Sequence, residues 1–288
     1  MKNFHSEYDR AEIVRKYRRK TAGYGINYLI PNIYGPIYIN NIKELAREVQ
    51  LQKDLRILEF GCGAAMNLLY LASVLPYLGF PILEAYGTDF SEKMIKAAHD
   101  ELTEYPQIEK SGFVKFVVAS NETIREDLAH FLNRSPDELK NFFHFIFGIN
   151  TLRFSWPSNT LKQTVFQLHQ MLITGGRLLI IDMNNRFPYS LVNNFRNSLQ
   201  RLKGVGRERS LFQDLWKVWS TGNDLPSLDQ YANTLQSVGF KILSKSNFCW
   251  IPHSSGRVRY LFFRAITPIL DTLIPTRAMR SLIIARKP

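Results

Sequence analysis

Along most of this chain, short apolar runs alternate with stretches whose apolar residues recur at helical spacing. Arg56-Ile57-Leu58-Glu59-Phe60 reads as a buried strand; it passes through Gly61 and Gly63 and continues into Leu68, Leu69 and Leu71-Ala72. A strand that turns on glycines into a helix is the βα turn of a nucleotide-binding α/β domain. Pro81 to Asp89 is a second strand ending in an acid, and Ser91 is placed to cap the helix that follows. Phe113 to Val118 is a third strand, followed by a helical run over 122–133 and a shorter helix opened by Ser135-Pro136-Asp137-Glu138. Phe143 to Asn150 is a fourth strand, Leu161 to Ile173 a helix closed by Gly175-Gly176, and Arg177 to Asp182 a fifth strand. Further on, Ser227 to Val238 is a helix, Phe240 to Ser246 a sixth strand and Arg280 to Arg286 a last short one.

Strands alternating with helices in this way predict an α/β fold with a doubly wound, mostly parallel sheet, whose ligands bind beyond the carboxyl ends of the strands. Four divisions follow: N-terminal helices and a flap over 1–50, a core over 51–183, a cap insertion over 184–224, and the end of the core over 225–288 with a second insertion at 250–278. Residues 7–20 read as a charged helix with its basic residues bunched at the end, where cations suit the helix dipole. Residues 23–38 hold four tyrosines, three glycines and two prolines, so their punctuation reads as a loop. They are too apolar to lie free in solvent. They read equally as a flap over the ligand or as a structural wrap, and a helix over 39–50 leads from them to the first strand.

Composition adds less than the pattern does. At 288 residues, with 45% hydrophobic and 22% charged residues, the chain is an ordinary globular protein. Nothing in it reads as a signal peptide, and no apolar run reaches the ~18 residues that span a bilayer. Cys62 and Cys249 form neither a disulfide framework nor a metal-ligand spacing, so no metal site and a reducing, cytoplasmic location are expected. The net charge of +12 is unevenly spread: residues 186–288 carry 16 Lys+Arg against 5 Asp+Glu, whereas residues 1–185 carry 21 against 20. A solvated basic face explains this surplus; so does an anionic substrate, an acidic partner or a membrane surface.

A dinucleotide loop needs glycine at its first, third and sixth places, the last allowing alanine, and here these are Gly61, Gly63 and Met66. The sixth place fails. Glu59-Phe60-Gly61-Cys62-Gly63-Ala64-Ala65 instead resembles the first motif of the class I S-adenosylmethionine-dependent methyltransferases, with alanine for the last glycine. The resemblance covers about 40–182 and resumes over 225–287. It implies a seven-stranded sheet with an antiparallel last strand, an N-terminal helical flap and helical cap insertions. It also implies S-adenosyl-L-methionine as cofactor. Glu59, Gly61, Cys62 and Gly63 would face the methionine part, and Asp89 would accept both ribose hydroxyls. Phe90 and Met94 would line the adenine; Ser120 and Asn121 stand where the family often has an acid for its amino group. Gly148, Ile149 and Asn150 would sit beside the methionine.

Methyl transfer from a sulfonium needs alignment more than acid–base help, so a catalytic side chain need not exist. His144 and His169 are placed structurally, whereas His253 follows the sixth strand on the ligand side; it reads as the candidate base or as a plain loop histidine. Tyr24, Tyr28 and Asn184 are candidates for orienting a substrate. The insertions carry apolar stripes, Phe187 to Leu202 and Phe212 to Trp219, and then the segment from Phe248 to His253. Trp216, Trp219 and Trp250 among them point to a hydrophobic or aromatic small-molecule acceptor, natural-product or lipid-related. The resemblance favours oxygen as the acceptor atom, the commonest in that family, and no residue selects it over nitrogen or carbon. Basic amphipathic helices also fit a peripheral membrane contact. Two rivals stand beside this reading. One is a nucleic-acid methyltransferase, opposed by Asn150-Thr151-Leu152-Arg153 where base-amine methylases carry a proline-rich segment. The other is a non-catalytic subunit that keeps the fold.

Overall fold

The computed structural model describes residues 14–15, 18–20, 24–51, 55–156, 158–187, 225–253 and 257–288. In chain order its elements are α1 (Tyr24–Leu29), a π-helical turn (Ile30–Tyr34), α2 (Gly35–Glu48), β1 (Leu55–Phe60), α3 (Met66–Val74), β2 (Ile82–Asp89), α4 (Glu92–Leu102) and α5 (Pro106–Ser111). There follow β3 (Val114–Val118), α6 (Ile124–Phe131), β4 (Phe143–Ile149), α7 (Leu161–Met171), β5 (Leu172–Met183), α8 (Leu228–Ser237), β6 (Lys241–Phe248), α9 (Arg257–Leu273) and β7 (Arg280–Arg286). The strands form one seven-stranded sheet in the order β3-β2-β1-β4-β5-β7-β6. β7 runs antiparallel to both neighbours, and every other pairing is parallel. The sheet class and the antiparallel last strand are as the resemblance implied.

Burial explains the strand assignments. β1, β4 and the second half of β5 lie centrally and are covered on both faces, so they are nearly continuous apolar runs. One core packs beneath α1 to α4 around Tyr34, Tyr38, Ile42 and Leu68, the other beneath α6 to α8 around Phe60, Tyr86, Leu128 and Leu168. The edge strand β6 is mostly exposed and carries Lys241 and Lys245, which discourage a further strand from pairing there. The cap reading at Ser91 holds, and Ser227 caps its helix in the same way, since each side chain accepts a backbone N–H of the first turn. Ser135 and Glu138 form a capping box around a single 3-10 turn rather than a longer helix.

The Tyr-rich stretch corrects its reading as a loop. Residues 24–48 are one helical run, in which Pro31 and Pro36 each fall at the first or second position of a new segment, where proline's missing N–H is tolerated. The π turn between them absorbs the change of register. Gly25 is required by packing: a Cβ there would stand 2.0 Å from the Pro252 carbonyl oxygen, and Ile26 N–H donates to the His253 carbonyl at 3.0 Å. The helix before strand β5 ends at Met171, and the strand begins at once with Leu172, so the Gly175-Gly176 pair lies within a strand irregularity. Most of the charged run 7–20 and the stripes of 188–224, including Trp216 and Trp219, lie outside the described residues. Of the bunched basic residues, Arg18 pairs with Asp100 and Glu101 and Lys20 with Glu104. Their partners are therefore acids at the end of α4.

Candidate functional site

The loop between β1 and α3 is built from alternating left-handed residues: Gly61 at φ 62°, Gly63 at 55° and Ala65 at 57°. Ala65 thus adopts the conformation that glycine takes freely, and its Cβ strain is borne by the fold. Gly61 cannot carry a side chain, because a Cβ would stand 2.1 Å from Thr151 Oγ1. Gly148 is confined in the same way by Phe60 and Thr151. A loop of this form turns successive N–H groups toward one concavity, at the positive end of α3.

Beneath the loop, Glu59 is buried and accepts from Leu68 N–H at 3.0 Å and from Asn67 Nδ2 at 3.3 Å, which satisfies the start of α3. Burial pushes its carboxyl up to about 8, hydrogen bonds from Leu68 and Asn67 oppose this, and nearby Asp89 adds to it. Asp89 at the end of β2 accepts from Gly63 N–H at 2.9 Å and from Ser91 N–H at 3.0 Å. Cys62 is buried with its N–H on the Thr88 carbonyl; burial, then Asp89 and Glu59, raise its thiol well above the usual range and keep it neutral. Phe90 is partly exposed beside Asp89, whereas Met94 is buried in the inner face of α4. Asn121 donates to Thr151 Oγ1 at 3.2 Å, and Ser120 N–H to Asp127 at 3.1 Å. The loops after β3 and β4 are thereby tied to the glycine turn.

A second set of polar groups gathers beyond β4, where Gly148 is buried and Ile149 partly so. Asn150 is left-handed at φ 55° and its N–H donates to the Ile181 carbonyl. Arg280 Nη1 donates to Asn150 Oδ1 at 2.6 Å, and Asn150 Nδ2 meets His253 Nδ1 at 3.4 Å. Arginine only donates, so Asn150 presents its amide N–H to His253 and the imidazole takes the Nε2–H form. That N–H points at Tyr34 Oη, 2.6 Å away. Burial, then Arg280 and Arg153, hold the imidazole well below its usual pKa and so neutral. Both ring nitrogens are engaged. His253 therefore bridges Tyr34 and Asn150, which of its two readings excludes the free base and leaves the structural histidine.

Other candidates are placed differently from their reading. Trp250 is buried against Phe187, Ala278 and Met279 and donates to Asp271 Oδ1 at 2.7 Å, so it is core. Asn184 is also buried, donating to the Thr276 and Ala278 carbonyls and accepting from Arg186 N–H. Tyr28 packs tilted against Tyr260 at 4.8 Å with Arg264 over its ring, and exposed Tyr24 flanks the Tyr260 ring at 6.4 Å. His144 accepts from Arg56 N–H and His169 packs on Phe240, both away from the site as expected. Sequence reasoning passed over Tyr34, Thr151, Asp182 and Arg280. Asp182 is a buried acid at the end of β5 that accepts from Arg153 N–H and Tyr231 Oη. It could have been noticed, since an acid ends β5 just as one ends β2. No group of metal-ligating side chains occurs among the described residues.

Comparison with known proteins gives these findings. A family profile described as a methyltransferase domain matches residues 36–245. Phosphoethanolamine N-methyltransferase 2 of Haemonchus contortus, solved in complex with S-adenosyl-L-methionine, is similar at 16% identity and TM-score 0.54, over 100% of this chain and 60% of that one. The CMeT domain of the citrinin polyketide synthase is similar at 21% identity and TM-score 0.52, over 96% and 56%. At these identities the likeness is one of fold, and this chain spans 60% or less of either structure. No curated protein matches the sequence.

Proposed function

The chain belongs to the class I S-adenosylmethionine-dependent methyltransferases, and from that premise we propose that it methylates a hydrophobic or aromatic small molecule, at oxygen. Membership makes it an enzyme with S-adenosyl-L-methionine as cofactor. The observation that carries the reading is the pairing of the Gly61–Ala65 turn with two converging carboxyls, Glu59 and Asp89. Burial pushes Glu59 up and nearby Asp89 adds to it, and a sulfonium bearing an ammonium group would supply positive charge there. Asp89, which accepts from the Gly63 and Ser91 N–H groups, ends β2 where the resemblance places the acid for the ribose diol. The residues fit the cofactor.

When bound, the cofactor supplies a methyl already activated for in-line displacement. What remains for the protein is alignment, worth roughly 7–11 kcal/mol, against ~10²–10⁴-fold for a general base. A neutral His253 with both nitrogens engaged contributes through alignment. Support for an aromatic acceptor comes from Tyr24, Tyr28 and Tyr260, which cluster where α1 packs on the segment ending at His253. Support for oxygen comes from the Asn150, His253 and Tyr34 groups, which suit a hydroxyl.

Titration calorimetry with S-adenosylhomocysteine tests the first part: micromolar binding that Asp89→Ala lowers by roughly 100-fold is expected, as for a lost charge-assisted pair. Absence of binding, or indifference to Asp89→Ala, would favour the non-catalytic subunit. Transfer of labelled methyl to phenols rather than amines tests the acceptor atom. A steep fall of transfer with salt would point to nucleic acid instead.

A second proposal concerns delivery, and rests on α9. Val258, Leu261, Phe262, Ala265, Ile269 and Leu273 form one outward apolar stripe, with Phe262 59% and Leu273 70% exposed. Residues 257–277 carry four arginines against one acid, Asp271, whose carboxylate is tied inward to Trp250. A second copy would bring arginines face to face, so an anionic bilayer surface is the complementary partner. No described helix is long and apolar enough to cross a membrane. Flotation with phosphatidylglycerol vesicles, lost in a Phe262→Glu/Ile269→Glu variant, is expected. No flotation of the wild type, or dimerisation through the stripe, would overturn it.

A further inference from the structure

Two arginines are buried in paired strands of the sheet, and they are balanced differently. Arg177 in β5 is 2% exposed and bonds Asn41 Oδ1, Glu44 Oε2 at 2.6 Å and Glu48 Oε1 at 2.9 Å. Arg280, which opens β7, is 5% exposed, and its side-chain hydrogen bond goes to the neutral Asn150. The Nε of each is buried without a partner, but no carboxylate among the described residues lies within ion-pair distance of Arg280, whereas Arg177 has two. A buried charge left unpaired costs several kcal/mol, which folds tolerate chiefly where a ligand later supplies the counter-charge.

The placement points to what that ligand is. β7 is antiparallel, so its first residue stands at the carboxyl ends of the parallel strands, opposite Met183 of β5 and Phe248 of β6. Asn150 holds Nη1 only, which leaves the Nε edge of the guanidinium, the edge suited to side-on bidentate pairing with an oxyanion. Asn150 is itself fixed by its left-handed backbone and by its bond to the Ile181 carbonyl, so the fork is preorganised. We propose that Arg280 is an acceptor-binding residue, and that the molecule methylated carries a carboxylate seated on its Nε edge. The positive field of Arg280 and Arg153 at neighbouring His253 agrees with a site awaiting an anion. The inference deepens the methyl-transfer reading, since it makes the hydrophobic acceptor an anionic amphiphile. The basic surplus of residues 186–288 then acquires a use in attracting it.

The test separates this assignment from the methyl-transfer reading. Benzoate, cinnamate and dodecanoate, each beside its amide, would be screened by thermal shift on the protein saturated with S-adenosylhomocysteine. At least one carboxylate should stabilise the wild type, and its amide should not. Arg280→Met should abolish that shift while leaving S-adenosylhomocysteine affinity within roughly 3-fold, and should not lower the unliganded midpoint, because it removes an unbalanced buried charge. Should Arg280→Met fail to fold, Arg280→Lys keeps the charge without the fork and should weaken the carboxylate by roughly 10-fold. Loss of S-adenosylhomocysteine binding in either variant would overturn the proposal, by assigning the guanidinium to the cofactor's own carboxylate. So would carboxylate binding unchanged by either variant, or no stabilisation of the wild type by any carboxylate of the set. Failure of the wild type to bind S-adenosylhomocysteine would instead count against the methyl-transfer reading.

Discussion

The two ends of the sheet are held by different means. At the amino ends of the parallel strands, charge is answered by charge: Arg177 is latched to Glu44 and Glu48 of α2, and Arg56 to Glu84 of β2. At the carboxyl ends, charge is left unanswered. Burial pushes Glu59 up to about 8, and Arg280 is buried on a neutral amide. Geometry there is set by left-handed backbone, free to Gly61 but strained at Ala65 and Asn150. One end is built to be stable as it stands, and the other is completed by what binds it.

The sharpest way to break this contrast is Gly61→Ala. The substitution forces an L side chain to φ 62° and drives a Cβ into Thr151 Oγ1 at 2.1 Å, so a loss of roughly 3 kcal/mol or more is expected in denaturant unfolding. Adding Thr151→Gly, which also removes the Thr151 Cβ that would stand 2.4 Å away, should return the steric part but not the backbone part. Full recovery in the double variant would mean that conformation matters less at this turn than contact does.

At the other end, Arg177→Met should cost about 2–3 kcal/mol, less than for a fully enclosed pair because Glu44 and Glu48 remain partly solvated. Against an Arg280→Met substitution that costs nothing, this pair of results would state the difference between the ends in one measurement. Equal losses would erase it.

How much of this was legible depends on whether a feature is local in the chain. The glycine turn, the acid ending β2 and the cap at Ser91 each lie within a few consecutive residues, and periodicity or spacing exposes them. The Tyr34–His253–Asn150–Arg280 network draws on α2's approach, two loops and the last strand, so no window of sequence contains it. Tyr24 and Tyr28 drew attention through the same Tyr-rich stretch whose buried member, Tyr34, makes the contact. That stretch was misjudged because glycines and prolines usually break helices, whereas here each proline begins a new segment. Trp250 illustrates the converse: an aromatic at the right strand end was core, with its indole satisfied by Asp271.

The unanswered carboxyl should show in pH dependence. Glu59 binds its proton more tightly folded, at about 8, than unfolded, near 4.5. The unliganded protein therefore loses stability as pH rises between those values and is level above them. Glu59→Gln, which keeps an acceptor for Leu68 N–H, should flatten that slope and stabilise the protein at pH 9 by on the order of 2 kcal/mol. Saturating S-adenosylhomocysteine, whose ammonium supplies the missing charge, should flatten it too. A slope that persists in Glu59→Gln would place the titrating group elsewhere.

The smallest effect bears on the strained alanine. Ala65 sits at φ 57° where the family's motif has glycine, and its methyl is fully buried. Ala65→Gly relieves roughly 1–2 kcal/mol of left-handed strain, but gives up a buried methyl worth about 0.8 kcal/mol and restores freedom to the unfolded chain. The terms nearly cancel, so a change within about 1 kcal/mol of the wild type is expected, with cofactor affinity preserved. This small number is informative because the same backbone conformation at Gly61 is expected to be intolerant. If Ala65→Gly proved strongly destabilising, the methyl's packing would outweigh the turn's conformation. The carboxyl end would then be held, like the amino end, by contacts rather than by backbone strain.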